Sequence, residues 1–320
     1  MKTIVTDSTE EAARFIREGG TVAFPTETVY GLGADVFNEF AISKIFSAKQ
    51  RPADNPLIAH VGDVSQIELL ARDVPDPARA FIERFFPGPL TLVVPKADKV
   101  PSIATAGLDT IGVRMPSGKV THEFLKACGT PVVAPSANVS GRPSPTDWES
   151  VLEDLEGKID CILKGEPSRV GLESTVVDCT EDVPVVLRPG AVSIEQLRKV
   201  VPETVAITET DGAAMRSPGM RHKHYSPKAK VILVDPTDVR RASACRGSCA
   251  FIGLSAPPDN SSLTMIVDST EEYARELFGF FRLCDRKGIG TILCETVPEE
   301  GIGTALMDRL RRAADSMLGP

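Results

Sequence analysis

The sequence predicts an α/β protein: a twisted mixed sheet with flanking helices, followed by a smaller α/β unit of Rossmann type. Three observations carry the prediction. Short apolar runs bounded by Gly and Pro alternate with stretches of helical period from the first residues onward. At 320 residues the chain exceeds the roughly 250 at which a single core stops growing. Residues 202–229 then interrupt the alternation with a polar stretch holding Pro218, Gly219 and Pro227, the composition of a linker. The expected division is 1–201, a linker at 202–229, and 230–320.

Residues 3–5 read as a short strand, and Ser8-Thr9-Glu10-Glu11 as a capping box opening a helix closed by Gly19-Gly20. A strand at 21–24 is stopped by Pro25 and delivers Thr26, Glu27 and Thr28, then Gly31 and Gly33, to a turn at its C-terminal end. Open α/β sheets bind their ligands at that edge. Residues 39–49 carry Phe40, Ile42, Ile45 and Phe46 at roughly helical spacing, and 56–61 is apolar and strand-like. Helices at 77–86 and 120–128 interleave with strands at 90–94, 111–114 and 131–134. Strands at 161–164, 174–179 and 185–188 complete the first unit. Beyond the linker come strands at 231–234, 249–253 and 263–267, a helix at 270–287, a strand at 288–294 and a helix at 304–314.

Thirty-six basic against forty-four acidic residues give a net charge of −8, which opposes non-specific attraction to nucleic acid or to an anionic membrane. No stretch approaches the ~20 apolar residues that cross a bilayer, and MKTIVTDSTEE lacks the apolar core of a signal peptide. A soluble, cytoplasmic protein is expected. The seven cysteines are scattered and odd in number, unlike a secreted disulfide framework, and are read as reduced thiols.

Four strand or helix ends carry cations or hydroxyls beside Pro or Gly. Lys49 and Arg51 close the helix at 39–49, ahead of the rigid polar turn Pro52-Ala53-Asp54-Asn55-Pro56. Cations at a helix end also offset the macrodipole by ~0.3–1 kcal/mol, so alone they decide nothing. Arg114 ends a strand in TIGVRMP, either facing solvent or placed to clamp a carboxylate. Ala134-Pro135-Ser136-Ala137-Asn138, with Ser140-Gly141-Arg142-Pro143-Ser144, is a hydroxyl-rich turn, and Arg188-Pro189-Gly190 repeats the plan. Together they describe one crevice for a small, polar, anionic ligand.

Other motifs carry less. His222 and His224 form an i, i+2 pair without a third ligand nearby, so no metal site is expected. Cys245 and Cys249 lack a second pair at zinc spacing, and Gly301-Ile302-Gly303 is a fragment of a dinucleotide fingerprint best read as a helix entry. The sequence has no GxxxxGK[ST], kinase signature or GxSxG.

PTETVYGLG, the KxR of SAKQRPADNPL, the SAN of APSANVSG, STVVD, RPG and SPGMRHKHYSP, in this order, resemble the threonylcarbamoyl-adenylate synthases, the YrdC-like family, in its long two-domain form. The resemblance implies a YrdC-like fold for the first unit. It implies that L-threonine, bicarbonate or carbon dioxide, and ATP give threonylcarbamoyl-AMP and pyrophosphate, for modification of adenosine 37 in tRNAs reading ANN codons. By the same resemblance, threonine is held by Thr28, His60, Arg114, the Ala134 backbone and Ser174. ATP falls to Arg51, Asn55, Thr110, Ser136, Ser144, Arg188 and Tyr225, with Lys49 and Arg51 as the catalytic cations. Mg²⁺ would accompany ATP, with no organic cofactor. The product would pass to a separate tRNA threonylcarbamoyl transferase complex through transient contact, with no membrane association and no stable nucleic-acid binding.

On this reading the segment 217–227 is a lid, with Tyr225 on the nucleotide and Arg221 and Lys223 near its phosphates. The alternatives are an RNA-binding or translation-associated module of the same fold, and carbamoyl transfer from carbamoyl phosphate. The second needs zinc-finger and acylphosphatase-like modules that this sequence lacks. The first is separated by whether the cations face a ligand-sized pocket or a broad groove; the charge of −8, one Trp and three Tyr favour a pocket.

Overall fold

The structure is a computed structural model that describes residues 2–52, 54–207, 225–239, 248–258, 261–314 and 316–317. In the first unit β1 (Ile4–Thr6), α1 (Thr9–Arg17), β2 (Val22–Phe24), β3 (Gly31–Asp35), α2 (Glu39–Lys49) and β4 (Ile58–His60) follow one another. A 3₁₀ turn at Val64–Leu69 precedes α3 (Asp76–Phe85), β5 (Leu90–Pro95), α4 (Ser102–Thr105), β6 (Thr110–Arg114), α5 (Lys119–Cys128) and β7 (Val132–Ala134). Then come α6 (Trp148–Leu155), β8 (Cys161–Leu163), β9 (Thr175–Asp178), β10 (Val185–Arg188), α7 (Ile194–Arg198) and β11 (Val205–Ala206). The caps are those the sequence supplies: Ser8 accepts from the Glu11 amide, Asn38 from Ala41 and Asp147 from Ser150.

The eleven strands form one mixed sheet in the order β1-β8-β2-β3-β7-β4-β6-β5-β9-β10-β11. β8 lies parallel between β1 and β2, β4 is parallel to β6, and β5 is parallel to β9. Alternate residues face opposite sides. Val22, Phe24, Val132, Ala134, Cys161 and Leu163 join α1 and α5, whereas Ala23, Val133 and Ile162 join the larger cluster with α2 and α6. Both faces are therefore covered.

The glycine-rich stretch read as a turn is a strand. Gly31 and Gly33 sit inside β3 because β2 and β7 come too close for side chains: a Cβ on Gly33 would lie 2.5 Å from Val132 Cγ1 and 2.8 Å from the Phe24 ring. The sequence reading also passed over α4, α6, α7 and β11, the last lying within the stretch read as linker yet paired to β10.

The second unit holds β12 (Lys230–Val234), β13 (Cys249–Gly253), β14 (Leu263–Ile266), α8 (Thr270–Arg286), β15 (Thr291–Glu295), α9 (Ile302–Ala313) and β16 (Ser316–Met317). Its sheet is parallel throughout, in the order β14-β13-β15-β12-β16. α8 and α9 bury one face in a cluster that also takes Val29 and Leu172 from the first unit, so the units share a core. At that seam Gly171 has φ +79°, and a Cβ there would meet Arg275 Cα at 2.4 Å. Only glycine permits so close an approach of its loop to α8. No described helix is long and apolar enough to cross a membrane. The cysteines among the described residues are buried; Cys245 lies outside them.

Candidate functional site

The polar strand ends converge on one recess, whose empty space with the adjoining open solvent included is about 690 Å³. It is lined by Thr26 and by residues 28–31, by Arg51 beyond α2, by the ends of β4, β6, β7 and β10, and by the loops before α6 and β9. Arg51, Arg114 and Arg188 all reach its wall, so the cations face one shared recess.

One half is built by sheet register. β4 and β6 run parallel with His60 opposite Arg114, and β7, antiparallel to β4, ends at Ala134 opposite Ile58. Arg114 donates through Nη1 to Thr28 Oγ1 (2.9 Å) and through Nε to the Gly88 carbonyl (3.3 Å). Its Nη2 meets Glu27 Oε1 at 2.9 Å with both side chains buried, an ion pair without hydrogen-bond alignment, so both Glu27 oxygens lack a hydrogen-bond partner. Ser174 shares a 2.8 Å hydrogen bond with Thr91 and accepts at Oγ from Arg188 Nη2 (3.2 Å). Thr28, His60, Arg114, Ala134 and Ser174 therefore lie together.

His60 is buried between the Phe24 ring, edge-on at 5.6 Å, and the sheet, with Nδ1 3.1 Å from the Ile58 carbonyl. Burial, then the nearby Arg114, push its pKa down from 6.5 to about 3 against the opposing pull of the Ile58 and Val132 carbonyls. The ring is neutral at physiological pH and holds an extra proton poorly. Above pH 6.5 folding involves no proton exchange at this group. As pH falls from 6.5 towards 3, the unfolded chain binds a proton that the folded one refuses, so stability is lost with acid. His60→Asn is expected to flatten that loss, measured as urea midpoints at pH 7, 5 and 4; an unchanged acid slope would remove His60 as its source.

The other half gathers Arg51, Ser136, Ser144, Arg188 and Tyr225. Arg51 donates through Nη2 to the carbonyls of Asn55 (3.3 Å) and Pro56 (3.2 Å), while its buried Nε and the buried Asn55 Nδ2 have no hydrogen-bond partner. Burial, partly offset by Tyr225, brings the Arg51 pKa down to about 10, which leaves it charged. Arg188 donates through Nε and Nη2 to the Ser174 carbonyl at 3.1 and 3.0 Å. Tyr225, at φ +67°, stacks on Phe278 of α8 with centroids 5.5 Å apart, and the next amide, Ser226, donates to the Gly141 carbonyl at 3.0 Å.

Three expected residues do not line the recess: Lys49, Thr110 and Asn55, whose carbonyl accepts from Arg51. Lys49 is 1% exposed, and its ammonium donates to the carbonyls of Ser136 and Asn138, both at 2.5 Å. It fastens the Ser136–Asn138 turn from beneath the recess; burial, then Arg51, lower its pKa well below the lysine range. Thr110 opens β6 at the end opposite Arg114, about 13 Å along the strand, and lines a small hollow with Leu108 and Val176.

Sequence reasoning missed Glu173, which lines the recess and accepts from Ser144 Oγ at 2.5 Å. Burial alone would raise its pKa, but Arg309, Arg188 and the Ser144 hydroxyl outweigh it and hold the carboxylate ionised. It also missed Arg309 of α9, whose guanidinium lies 5.4 Å from the Tyr225 ring centroid. No local spacing links these residues; only the packing of the second unit does. Among the described residues no three His, Cys, Asp or Glu side chains gather as for a metal. His222, His224, Arg221 and Lys223, and the lid expected at 217–227 up to Tyr225, lie outside the described residues.

Two family models match. One, Sua5_yciO_yrdC, described as "Telomere recombination", covers residues 14–190; the other, "Threonylcarbamoyl-AMP synthase, C-terminal domain", covers 192–315. The chain is 46% identical over 315 residues to a threonylcarbamoyl-AMP synthase of Pyrococcus abyssi, covering 95% of this chain and 93% of that one. It is 39% identical over 318 residues to one from Bacillus subtilis, covering 95% and 92%. The crystal structure of P. abyssi Sua5 complexed with L-threonine superimposes with a TM-score of 0.91 at 42% identity, covering 99% of each chain.

Proposed function

The chain belongs to the threonylcarbamoyl-AMP synthase family and is an L-threonylcarbamoyladenylate synthase that serves tRNA threonylcarbamoylation, and from that premise we propose how its recess performs the reaction. The observation that carries the reading is the pairing, inside one recess, of an Arg114-Thr28-His60-Ala134-Ser174 group with an Arg51-Ser136-Ser144-Arg188-Tyr225 group. The first suits an amino acid: Arg114 takes the carboxylate, and Thr28, Ser174 and neutral His60 take the hydroxyl and amine. The second, with Asn55, suits ATP, with Arg51 and Arg188 on the phosphates and Tyr225 at the wall supplied by the second unit. The P. abyssi protein solved with L-threonine supports threonine as the amino acid.

The chemistry joins two anions. The threonine amine adds to carbon dioxide, directly or as supplied by bicarbonate, forming an N–C bond and releasing a proton. A carbamate oxygen then attacks the α-phosphorus of ATP; the new P–O bond forms as the α–β anhydride bond breaks and pyrophosphate leaves. Holding carbamate and triphosphate in contact against their repulsion is the main task, met by fixed cations and by position rather than by a covalent nucleophile. Lys49 contributes by holding the Ser136 turn.

Mg²⁺ enters as the ATP complex. The described side chains build no cage for it, and a nucleotide-bound Mg²⁺ keeps several of its waters. Thr110 belongs to the ATP side only if the nucleotide reaches the far end of β6. The working division remains 1–201, 202–229 and 230–320, in a cytoplasmic enzyme that hands its product to the tRNA-modifying transferase by transient contact. Purified protein incubated with threonine, bicarbonate and ATP should release pyrophosphate and form a species with the mass of threonylcarbamoyl-AMP. Both should vanish when threonine is omitted; pyrophosphate release without threonine overturns the reading.

A further inference from the structure

The two largest fully buried side chains in the described residues are arginines, Arg282 and Arg309, and both lie on helices of the second unit. Placing a guanidinium at a dry seam is costly unless it is paired, so what they pair with is informative. Arg309 donates through Nε to Glu173 Oε2 at 2.9 Å and through Nη2 to the Pro189 carbonyl at 3.1 Å, and its Nη1 meets Asp308 at 2.6 Å. The other Glu173 oxygen accepts from Ser144 on the recess wall. Arg282 meets Asp154 at 3.0 and 3.2 Å and donates to the Pro143 carbonyl at 2.6 Å, while Asp154 also binds Arg142, another wall residue. Each arginine thus ends on a carboxylate whose remaining oxygen or second contact fixes a side chain of the recess wall, Ser144 in one case and Arg142 in the other.

We propose that the second unit is a working part of the nucleotide site, with Arg309 a positioning residue that acts through Glu173 on Ser144 and through its ring contact on Tyr225. Arg282 does the same for Arg142 through Asp154. Neither arginine lines the recess, so neither touches substrate. The relay holds acceptors and cations at fixed positions before ATP arrives, which lowers the ordering cost of binding. In the threonine half, His60, Arg114 and Ala134 are held instead by the register of β4, β6 and β7, so threonine binding depends on the relay less than ATP binding does.

This inference rests on the assignment of Ser144 and Tyr225 to ATP, and the test separates the two. Calorimetric ATP and threonine affinities are measured for the full chain, for Ser144→Ala, for Arg309→Met and for Arg309→Lys. They are also measured for Arg309→Met combined with Glu173→Gln, which leaves no orphaned buried charge if the single variant folds poorly. Arg309→Met is expected to weaken ATP about tenfold or more with threonine affinity within twofold. Arg309→Lys should recover part of the loss, and the double variant should keep an ATP loss of about the same size as Arg309→Met. Ser144→Ala without effect on ATP would overturn the nucleotide assignment itself. Ser144→Ala weakening ATP while the folded double variant binds ATP normally would overturn the relay, as would equal losses for ATP and threonine.

Discussion

Arg51→Ala is expected to cut turnover about a hundredfold or more while the protein stays folded, the scale of removing one preorganised charge stabiliser. Arg51 is anchored by the Asn55 and Pro56 carbonyls, so its position does not depend on a ligand, and its Nε is left without a partner inside the recess. At a pKa of about 10 it carries its charge at every pH where the enzyme would be assayed. The measurement is the rate of pyrophosphate release at saturating threonine and ATP, with a thermal melt as control. Arg51→Lys should recover only part, since an ammonium is a point charge without the planar fork of donors that a guanidinium presents. A near-normal rate in Arg51→Ala would remove the residue from the reaction.

Arg114→Ala should weaken threonine binding by about 2–5 kcal/mol, the usual loss on truncating one partner of a buried charge pair, with ATP affinity little changed. The pairing with Glu27 complicates the experiment. Removing the guanidinium alone leaves a buried carboxylate uncompensated, which costs about 3–5 kcal/mol in stability. Arg114→Ala with Glu27→Gln avoids that penalty and should show the same threonine defect on a stable protein. Calorimetry giving equal losses for both ligands would move Arg114 out of the amino-acid half.

What the sequence made legible were features set within a few residues. Ser8 caps the helix it precedes, and α2 spans the predicted residues 39–49. The segments carrying Thr28, Arg51, Arg114, Ser136 and Arg188 do meet at one recess, although β7 runs antiparallel to β4 and so opposite to β6. What escaped was set by distant packing. Gly31 and Gly33 have the composition of a turn but are strand glycines pressed by Phe24 and Val132. Lys49 looks like a ligand cation until the Ser136 and Asn138 carbonyls, nearly ninety residues on, are seen to enclose it. Arg309 reaches Glu173 across 136 residues, a pairing no local motif encodes.

The place of β8 in the large sheet bears on how the chain acquires its shape during synthesis. β1 and β2 are neighbours in sequence, yet β8 is inserted between them, and Val22 and its partner Cys161 are 139 residues apart. Local antiparallel pairs such as β2 with β3 and β5 with β6 can form as they leave the ribosome, whereas the closure around β8 waits for non-local pairing, which is slow. Until about half the chain has emerged, the outer edge of β2 is an unpaired apolar strand, the kind of edge on which nascent chains associate. A ribosome stalled before residue 161 would therefore hold out a sticky intermediate, and the first clients of the quality-control machinery should be fragments that end short of that strand.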